Sequence, residues 1–583
     1  LSFSSKDGYD VVRLEGARLL MEKGKPIVPV YSVAISIPTD EEVMSSEIIP
    51  ISTHKLAGNY LLHPGSPPVR LSERRPAVIA EPDPFVYSSR SPYPDVWGEF
   101  TGEGSISGHR IATFVIYPLR FIPREQQLEF ASHIRIEITT RKSARQVTVP
   151  APTPLREALF GKRVKKLVIN PDEVSLNSSK GQVPLQGGDL DYLLIAPPTW
   201  IPHYQPLLDW KTKKGLRCEA VSTSWIYSNY SGVDQQEQIR NCIKDYYQNH
   251  GIVYVLIGGD PNYVPVREAY CYITNLSGEE IYLPCDLYYS DLDGNWNADG
   301  DDDWGEYPED NVDMYADVYV ARIPARSYVQ VDDIVDKILT YEGSSSANDS
   351  LPTDYLLKML FMAEILWTDP YTDGAEAKDI IDDNYVPPRY DPITKLYESS
   401  GNLNYSTVVD ALNSGYAIIN HCGHANINFL SIGPDVLSST DFDYLTNSPR
   451  FGVFYSTGCW SSAIDYDTIS EHWLKNPDGG GIAYIGNSRY GWACPGYPGE
   501  CDSDLFDQQF FRALYSSNIY HLGETHADAK DHYVIDARID EYMRYCLYEL
   551  NALGDPEMPI WTDDPSDLTV THADTITTDA TSF

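Results

Sequence analysis

Two short stretches carry side chains fit for nucleophilic chemistry. Residues 416–425 read Tyr-Ala-Ile-Ile-Asn-His-Cys-Gly-His-Ala, and residues 451–460 read Phe-Gly-Val-Phe-Tyr-Ser-Thr-Gly-Cys-Trp. Each is an apolar run that ends in small residues and then a reactive one, His424 in the first and Cys459 in the second. A thiol attacks as the thiolate, and a neighbouring imidazolium lowers its pKa. The same imidazole can then protonate a leaving amine. Acyl transfer through such a pair also needs two donors for the tetrahedral oxyanion, and the backbone N–H groups of Cys459 and Ala425 are the candidates. His421 and Cys422 are rivals in the first stretch, but they sit inside the strand end, where packing is the expectation.

The two runs can cooperate only if they lie side by side and end at one edge. The pattern around them predicts this. From residue 191 apolar strand-like runs (192–196, 216–221, 252–257, 317–323, 356–363, 416–421, 451–456, 481–485) alternate with helical segments (202–214, 234–249, 329–341, 407–413), several of them closed by Gly. Such alternation predicts a mostly parallel sheet with flanking helices, in two α/β halves over residues 189–350 and 351–561. Open parallel sheets bind ligands outside the carboxyl ends of their strands, where His424 and Cys459 would emerge.

Residues 1–150 have no helical period. Runs such as 27–37, 110–115 and 133–139 alternate like strands and are broken by Pro and Gly, which predicts an all-β sandwich or barrel. Residues 151–188, rich in Ser, Gly, Lys and Gln towards their end, read as a linker whose Lys165, Lys166 and Lys180 a basic-specific protease could cut. Residues 562–583, rich in Thr and Asp, read as a tail or the first strand of a truncated Ig-like domain.

A chain of 583 residues exceeds one core, which stops growing near roughly 250–300 residues, so about three domains are expected. The balance of 44 Lys+Arg against 84 Asp+Glu, a net charge of −40, repels phosphate polymers and excludes nucleic acid as a partner. No apolar run is long enough to span a membrane. The chain begins at Leu1 without Met, as after removal of a signal peptide. Its nine cysteines allow four disulfides and one free thiol, with Cys271/Cys285 and Cys494/Cys501 near enough to close small loops and Cys459 the candidate left unpaired. A secreted or cell-surface location follows from these features. One acidic loop also stands out. Asp291, Asp293, Asn295, Asn297, Asp299 and Asp301 offer oxygens at alternating positions among glycines, with Glu306 as a displaced closing acid. That spacing predicts a structural Ca²⁺ site, since six to eight oxygens must surround the ion.

Taken in order, these segments resemble the gingipain-type cysteine peptidases, related at longer range to caspases and clostripain. The resemblance covers nearly the whole chain. It rests on the 416–425 and 451–460 blocks, on Asp317-Val-Tyr-Val-Ala-Arg-Ile-Pro and on Asn551-Ala-Leu-Gly-Asp-Pro-Glu. Two departures are Cys-Gly-His for the usual Thr-Gly-His, and Ala425 for the usual Gly. The resemblance implies a caspase-like α/β catalytic domain with Cys459 as nucleophile, His424 as acid/base and Glu364 as the acid orienting the imidazole. It implies that Trp492 walls the primary specificity pocket, with Cys422 in the substrate-binding set and Glu376 or Asp373 as its floor carboxylate. Cleavage of protein and peptide substrates after Arg or Lys would follow. The all-β domain would be an inhibitory prodomain of a secreted zymogen, with Lys180 an attractive activation site. Two alternatives are the same peptidase with non-basic specificity and a catalytically silent extracellular binding module. Retention of Cys459, His424 and Glu364 together argues against the last.

Overall fold

A computed structural model describes residues 1–73, 80–144, 147–174, 188–343 and 352–565. The N-terminal region is all-β, with two antiparallel sheets packed face to face. One contains Arg18–Leu20, Val28–Ser36, His109–Ile116 and Gly98–Ile106 in spatial order, and the other Glu41–Lys55, Gln127–Lys142 and Leu119–Ile122. Ile134, Ile136 and Ile138 recur with the period of two that places them on one face. That face lies on Ala112, Phe114 and Ile116 of the first sheet.

Residues 188–561 build one ten-stranded sheet. Its strands in chain order are β1 (Tyr192–Ala196), β2 (Cys218–Ser222), β3 (Tyr254–Gly258), β4 (Tyr319–Ile323), β5 (Met359–Ala363), β6 (Thr394–Tyr397), β7 (Ile418–Cys422), β8 (Gly452–Ser456), β9 (Gly481–Asn487) and β10 (Leu550–Leu553). The spatial order is β2-β1-β3-β4-β10-β9-β8-β7-β5-β6. β1, β3 to β5 and β7 to β10 are buried at every position, as strands covered on both faces must be. Every neighbouring pair is parallel except β9 with β10. The two halves expected from the sequence therefore share one sheet but run in opposite directions. β10, from the end of the second half, crosses over to pair in parallel with β4 at Arg322 and Leu553.

The segment read as a linker is not all linker. Pro154–Leu167 is a helix, capped by the Thr153 hydroxyl, which accepts from the Arg156 N–H at 3.3 Å. Its arginines explain the order. Arg156 donates to the carbonyls of Ile252 and Asp317, and Arg163 donates to Ala316 and forms a buried pair with Asp531. Phe160 and Val164 also sink into the core one turn apart, a stripe that the surrounding Lys, Arg and Glu obscure in the sequence. Lys180 and residues 566–583 lie outside the described residues.

The cysteine expectation also needs correction. Cys494–Cys501 is a disulfide, and the other seven cysteines are unpaired, including Cys271 and Cys285. Cys271 follows the strand Arg267–Tyr270 and Cys285 ends the strand Tyr282–Cys285, and each is buried. Among the described residues no helix is long and apolar enough to cross a membrane.

Removing one member of a buried ion pair leaves the other charged and unpaired. Arg163→Ala should destabilise the protein by about 3–5 kcal/mol in urea unfolding, and an unchanged midpoint would show that the helix contributes nothing to the folded state.

Candidate active site

β7 and β8 are parallel neighbours, with His421 opposite Ser456. His424 and Cys459 each follow three residues further on, so both leave the sheet at the same edge. Two glycines let the segments close on each other. A Cβ on Gly458 would lie 2.6 Å from the methyl group of Ala425, and one on Gly423 would lie 2.7 Å from Glu364 Oε2. Glycine is needed at both because the neighbours are inside van der Waals contact distance.

Glu364 stands at the end of β5, which pairs with β7. It is 2% exposed. Its carboxylate accepts the backbone N–H of His424 at 2.7 Å and that of Gly433 at 3.0 Å. Burial raises its pKa, opposed by the Ser431 hydroxyl and by His424. The acid expected to orient the imidazole thus grips the main chain that carries it. His421 is fully buried, with Nε2 donating to the Ser431 carbonyl at 3.1 Å and Nδ1 accepting from the Ser456 hydroxyl at 3.0 Å. Burial pushes its pKa down to about 4, so it is a neutral packing residue.

Cys459 is fully buried and is followed by Trp460 at φ 57°, a left-handed conformation strained for an indole side chain. Arg489 braces that turn. Its carbonyl accepts the Trp460 N–H at 2.5 Å, its guanidinium lies 4.6 Å from the indole ring, and it forms a two-pronged pair with Asp465.

A strand from the N-terminal domain covers this pair. Val69–Arg70 runs antiparallel to Trp492–Ala493, with Arg70 opposite Trp492 and Val69 opposite Ala493. The Leu71 N–H continues the ladder to the Gly491 carbonyl at 2.8 Å. The Leu71 carbonyl accepts from His424 Nδ1. The Cys459 thiol donates to the Gly491 carbonyl at 3.7 Å, and the backbone and side chain of Ser72 lie where they favour its thiolate. The Glu73 carbonyl accepts from the Trp367 indole N–H at 2.7 Å, which pins the segment beyond the site. Burial under this cover pushes the Cys459 thiol up to about 12, against the lowering effect of the Gly491 and Ser72 contacts.

Comparison with known sequences agrees with this arrangement. Residues 186–561 match peptidase family C25, and residues 4–153 match the C25 propeptide. The chain belongs to peptidase family C25. Lys-gingipain of Porphyromonas gingivalis is 23% identical over 496 residues, which are 82% of this chain and 26% of that protein. Gingipain R2 of the same organism is 21% identical over 505 residues, 82% of this chain and 60% of that protein. The chain thus spans about a quarter and three fifths of these relatives. The Arg-specific cysteine proteinase gingipain R shares the fold, with a TM-score of 0.51 and 17% identity over 68% of this chain and 83% of that one.

The remaining expected site residues of this C25 chain are engaged in different ways. Trp492 is buried one residue beyond Gly491, its N–H bonded to Ser503 Oγ at 2.9 Å and its ring packed edge-on against Tyr542 and Tyr545. Cys422 is buried with its sulfur 4.0 Å from Asp504 Oδ1, and burial pushes its thiol up to about 12. Asp373 caps the helix Gly374–Asn384 by accepting the Ala375 N–H at 3.0 Å. Glu376 is exposed in a cleft it shares with Lys6 and Arg13 of the propeptide.

The acidic loop divides. Asp291 turns inward and accepts from the Gly294 amide and the Trp296 indole, each at 3.1 Å. Asp293 accepts from the propeptide, through the Thr148 amide at 2.5 Å and the Ser105 hydroxyl. Asn295 and Asn297 stabilise turns through the amides of Asn297 and Gly300. Asp299 groups with Glu306 and Glu309, and Asp301 with Asp303 and Glu306, the carboxylate oxygens of each group lying within 4.8 Å of one another. Glu309, Leu71 and Ser72 are residues that sequence reading passed over, while Asp303 and Gly491 lay inside segments it singled out without being given a role. The only signal for Leu71 was a Val-Arg-Leu alternation within a proline-dense stretch.

A thiol with a pKa near 12 holds almost no thiolate at neutral pH. In the intact chain, alkylation of Cys459 by iodoacetamide should keep rising through pH 10 without a plateau. A plateau below pH 8 would show that the thiol is already activated.

Proposed function

We propose that this C25 chain is the zymogen of a secreted cysteine endopeptidase whose propeptide blocks its own site. One observation carries the reading. A propeptide strand is paired along Gly491–Ala493, and its backbone groups contact both His424 and Cys459.

The chemistry follows from the same contacts. Once the strand leaves, water returns to the thiol and the penalty on the thiolate falls. His424 Nδ1, which donates to Leu71 in the latent form, takes the thiol proton. A substrate peptide occupies the vacated ladder, and the thiolate attacks its carbonyl carbon. The N–H groups of Cys459 and Ala425 receive the oxyanion. The imidazolium then protonates the departing amine, and a water deprotonated by the same imidazole releases the acyl group. Glu364 keeps the His424 main chain in place throughout.

A preference for Lys or Arg before the cut is the reading that the relatives' names suggest. Non-basic cleavage is favoured by the placement of Asp373 as a helix cap and Glu376 on the surface. Activation cleavage falls in the 140–188 region, where Lys180 is the proposed site. Ca²⁺ is proposed as a structural ion held by Asp301, Asp303 and Glu306, with Asp299 and Glu309 beside them. The donors there are all oxygen and their carboxylates already converge, as a hard cation requires. The ion would offset repulsion among these acids and fix the loop.

Chain nicked in the 140–188 region and supplied with reductant and Ca²⁺ should hydrolyse fluorogenic peptides. Cys459→Ala and His424→Ala should each lose roughly 100-fold or more of kcat/KM. Turnover surviving Cys459→Ala would eliminate the nucleophile. Chelation by EDTA should lower the melting temperature by a few degrees, on the order of 1–2 kcal/mol of lost binding linkage. An unmoved transition would eliminate the calcium proposal.

A further inference from the structure

The propeptide strand has a defined register against the site. Side chains of an extended peptide alternate between its faces, and a shift of one residue exchanges the faces. Leu71 is the residue whose N–H reaches the Gly491 carbonyl and whose own carbonyl meets His424, while the next residue, Ser72, lies against the Cys459 sulfur. By these contacts Leu71 holds the place of the substrate residue before the scissile bond, and Ser72 the place of the residue after it.

The leucine is taken in and its basic neighbour is left out. Leu71 is 1% exposed, and its Cδ1 lies 3.0 Å from where a Cβ on Gly491 would stand. Any side chain at 491 would intrude on that space. Arg70 lies on the rim instead, with its guanidinium 4.9 Å from the Tyr490 ring centre and paired with Glu73 at 2.6 Å.

The acids near the thiol and the pocket wall are each buried or held by other groups, although Glu549 Oε1 and Asp502 Oδ2 have no hydrogen-bond partner among the described residues. Asp373 caps a helix, and Glu376 faces the cleft beside Lys6. Asp504 accepts the Gly499 N–H at 2.9 Å. Glu549 accepts the Arg489 N–H at 2.8 Å and is fully buried, which pushes its carboxyl well above the ordinary carboxylate range. A lysine or arginine in the place of Leu71 would carry its charge into a space that is 1% exposed, where the Thr457 carbonyl and the Asn487 side-chain amide are the polar groups beside Gly491.

We propose that the primary specificity pocket of this chain accepts an uncharged, leucine-sized aliphatic side chain, and that Leu71 is the propeptide's own occupant of it. The proposal rests on the peptidase reading above for its enzymatic meaning. The Leu71–Ser72 peptide group is also not placed for attack by the thiolate. Attack requires the carbonyl carbon on the sulfur, the carbonyl oxygen on the Cys459 and Ala425 amides, and the amide nitrogen near the imidazole. The peptide group here is turned the other way, with its oxygen on the imidazole rather than on those amides.

The test uses the full-length chain and needs no turnover. Alkylation of Cys459 by iodoacetamide, followed by mass spectrometry of the peptide that carries it, measures how often the strand opens. Leu71→Met should protect Cys459 to within about two-fold of the parent. Leu71→Ala, Leu71→Lys and Leu71→Arg should each raise the rate roughly ten-fold or more. Protection by Lys or Arg equal to that by Leu would overturn the proposal, as would a rate indifferent to residue 71. In nicked chain, Val-Arg-X coumarylamides should be cut with kcat/KM roughly ten-fold higher for X = Leu or Met than for Lys or Arg. A basic preference there would also overturn it and would point to Glu549, whose second oxygen has no partner among the described residues. Absence of turnover on all four peptides would instead sink the peptidase reading, leaving the alkylation series to decide the pocket.

Discussion

The site depends on one pairing, that of β7 with β8 as parallel neighbours with His421 opposite Ser456. Equal three-residue extensions beyond that register bring His424 and Cys459 to one edge without any long loop. A slip by one residue would turn both reactive segments to the wrong faces. The register is held by sides that are buried along their whole length and by the absence of side chains at Gly423 and Gly458. β5 on the far side of β7 then delivers Glu364 beneath His424. The reversed half of the sheet contributes no reactive group at this edge. Its link is β10, which lies between β4 and β9, and Glu549 immediately before it sits under Arg489.

Latency uses the same backbone groups that substrate binding would use. Strand addition to Gly491–Ala493 gives affinity through main-chain hydrogen bonds and specificity through the side chain that turns inward. It also removes water from Cys459, and burial is the largest cause of the raised thiol pKa. One strand therefore blocks access and suppresses the nucleophile together. The propeptide reaches further than the cleft. Its Ser105, Ser107 and Thr148 amides cap Asp313, Asp317 and Asp293, and the Arg538 guanidinium returns to Thr113 and the Glu103 carbonyl. Part of the acidic segment read as a cation loop is thus an interface between two regions of one chain.

The sequence made the α/β alternation legible because fully buried parallel strands are continuous apolar runs, and it placed the two reactive blocks on adjacent strands. The all-β region was legible from period-two runs such as 133–139. Three features were not. The helix Pro154–Leu167 buries Phe160 and Val164 one turn apart, but Arg156 and Arg163 are buried on it as well, and these cations among Lys and Glu mask the stripe in the sequence. The crossing of β10 is a long-range pairing with no local signature. The target of Glu364 is a backbone amide, and residue types alone do not separate that from a bond to the imidazole. Gly423 and Gly458 were visible as letters, but their necessity appears only when Glu364 and Ala425 are seen packed against them.

Cysteine arithmetic failed for a related reason. An odd count singles out one thiol only if the others pair, and here six of the seven unpaired cysteines are simply buried, with Cys218 half-buried. Nor does acidity separate the nucleophile from its neighbour, since burial lifts Cys459 and Cys422 alike to about 12. The distinction is positional. Cys422 is the last residue of β7, held against Gly374 and Asp504 within the packed sheet. Cys459 lies beyond the end of β8, after a glycine and before the strained Trp460, with Gly491 and the propeptide residue Ser72 against its sulfur. The cover over Cys422 belongs to the fold and cannot leave without unfolding. The cover over Cys459 includes a strand from the other domain, attached by a ladder of backbone hydrogen bonds. Only the second thiol can therefore change its solvation while the sheet stays intact, and that change is what a thiolate nucleophile requires.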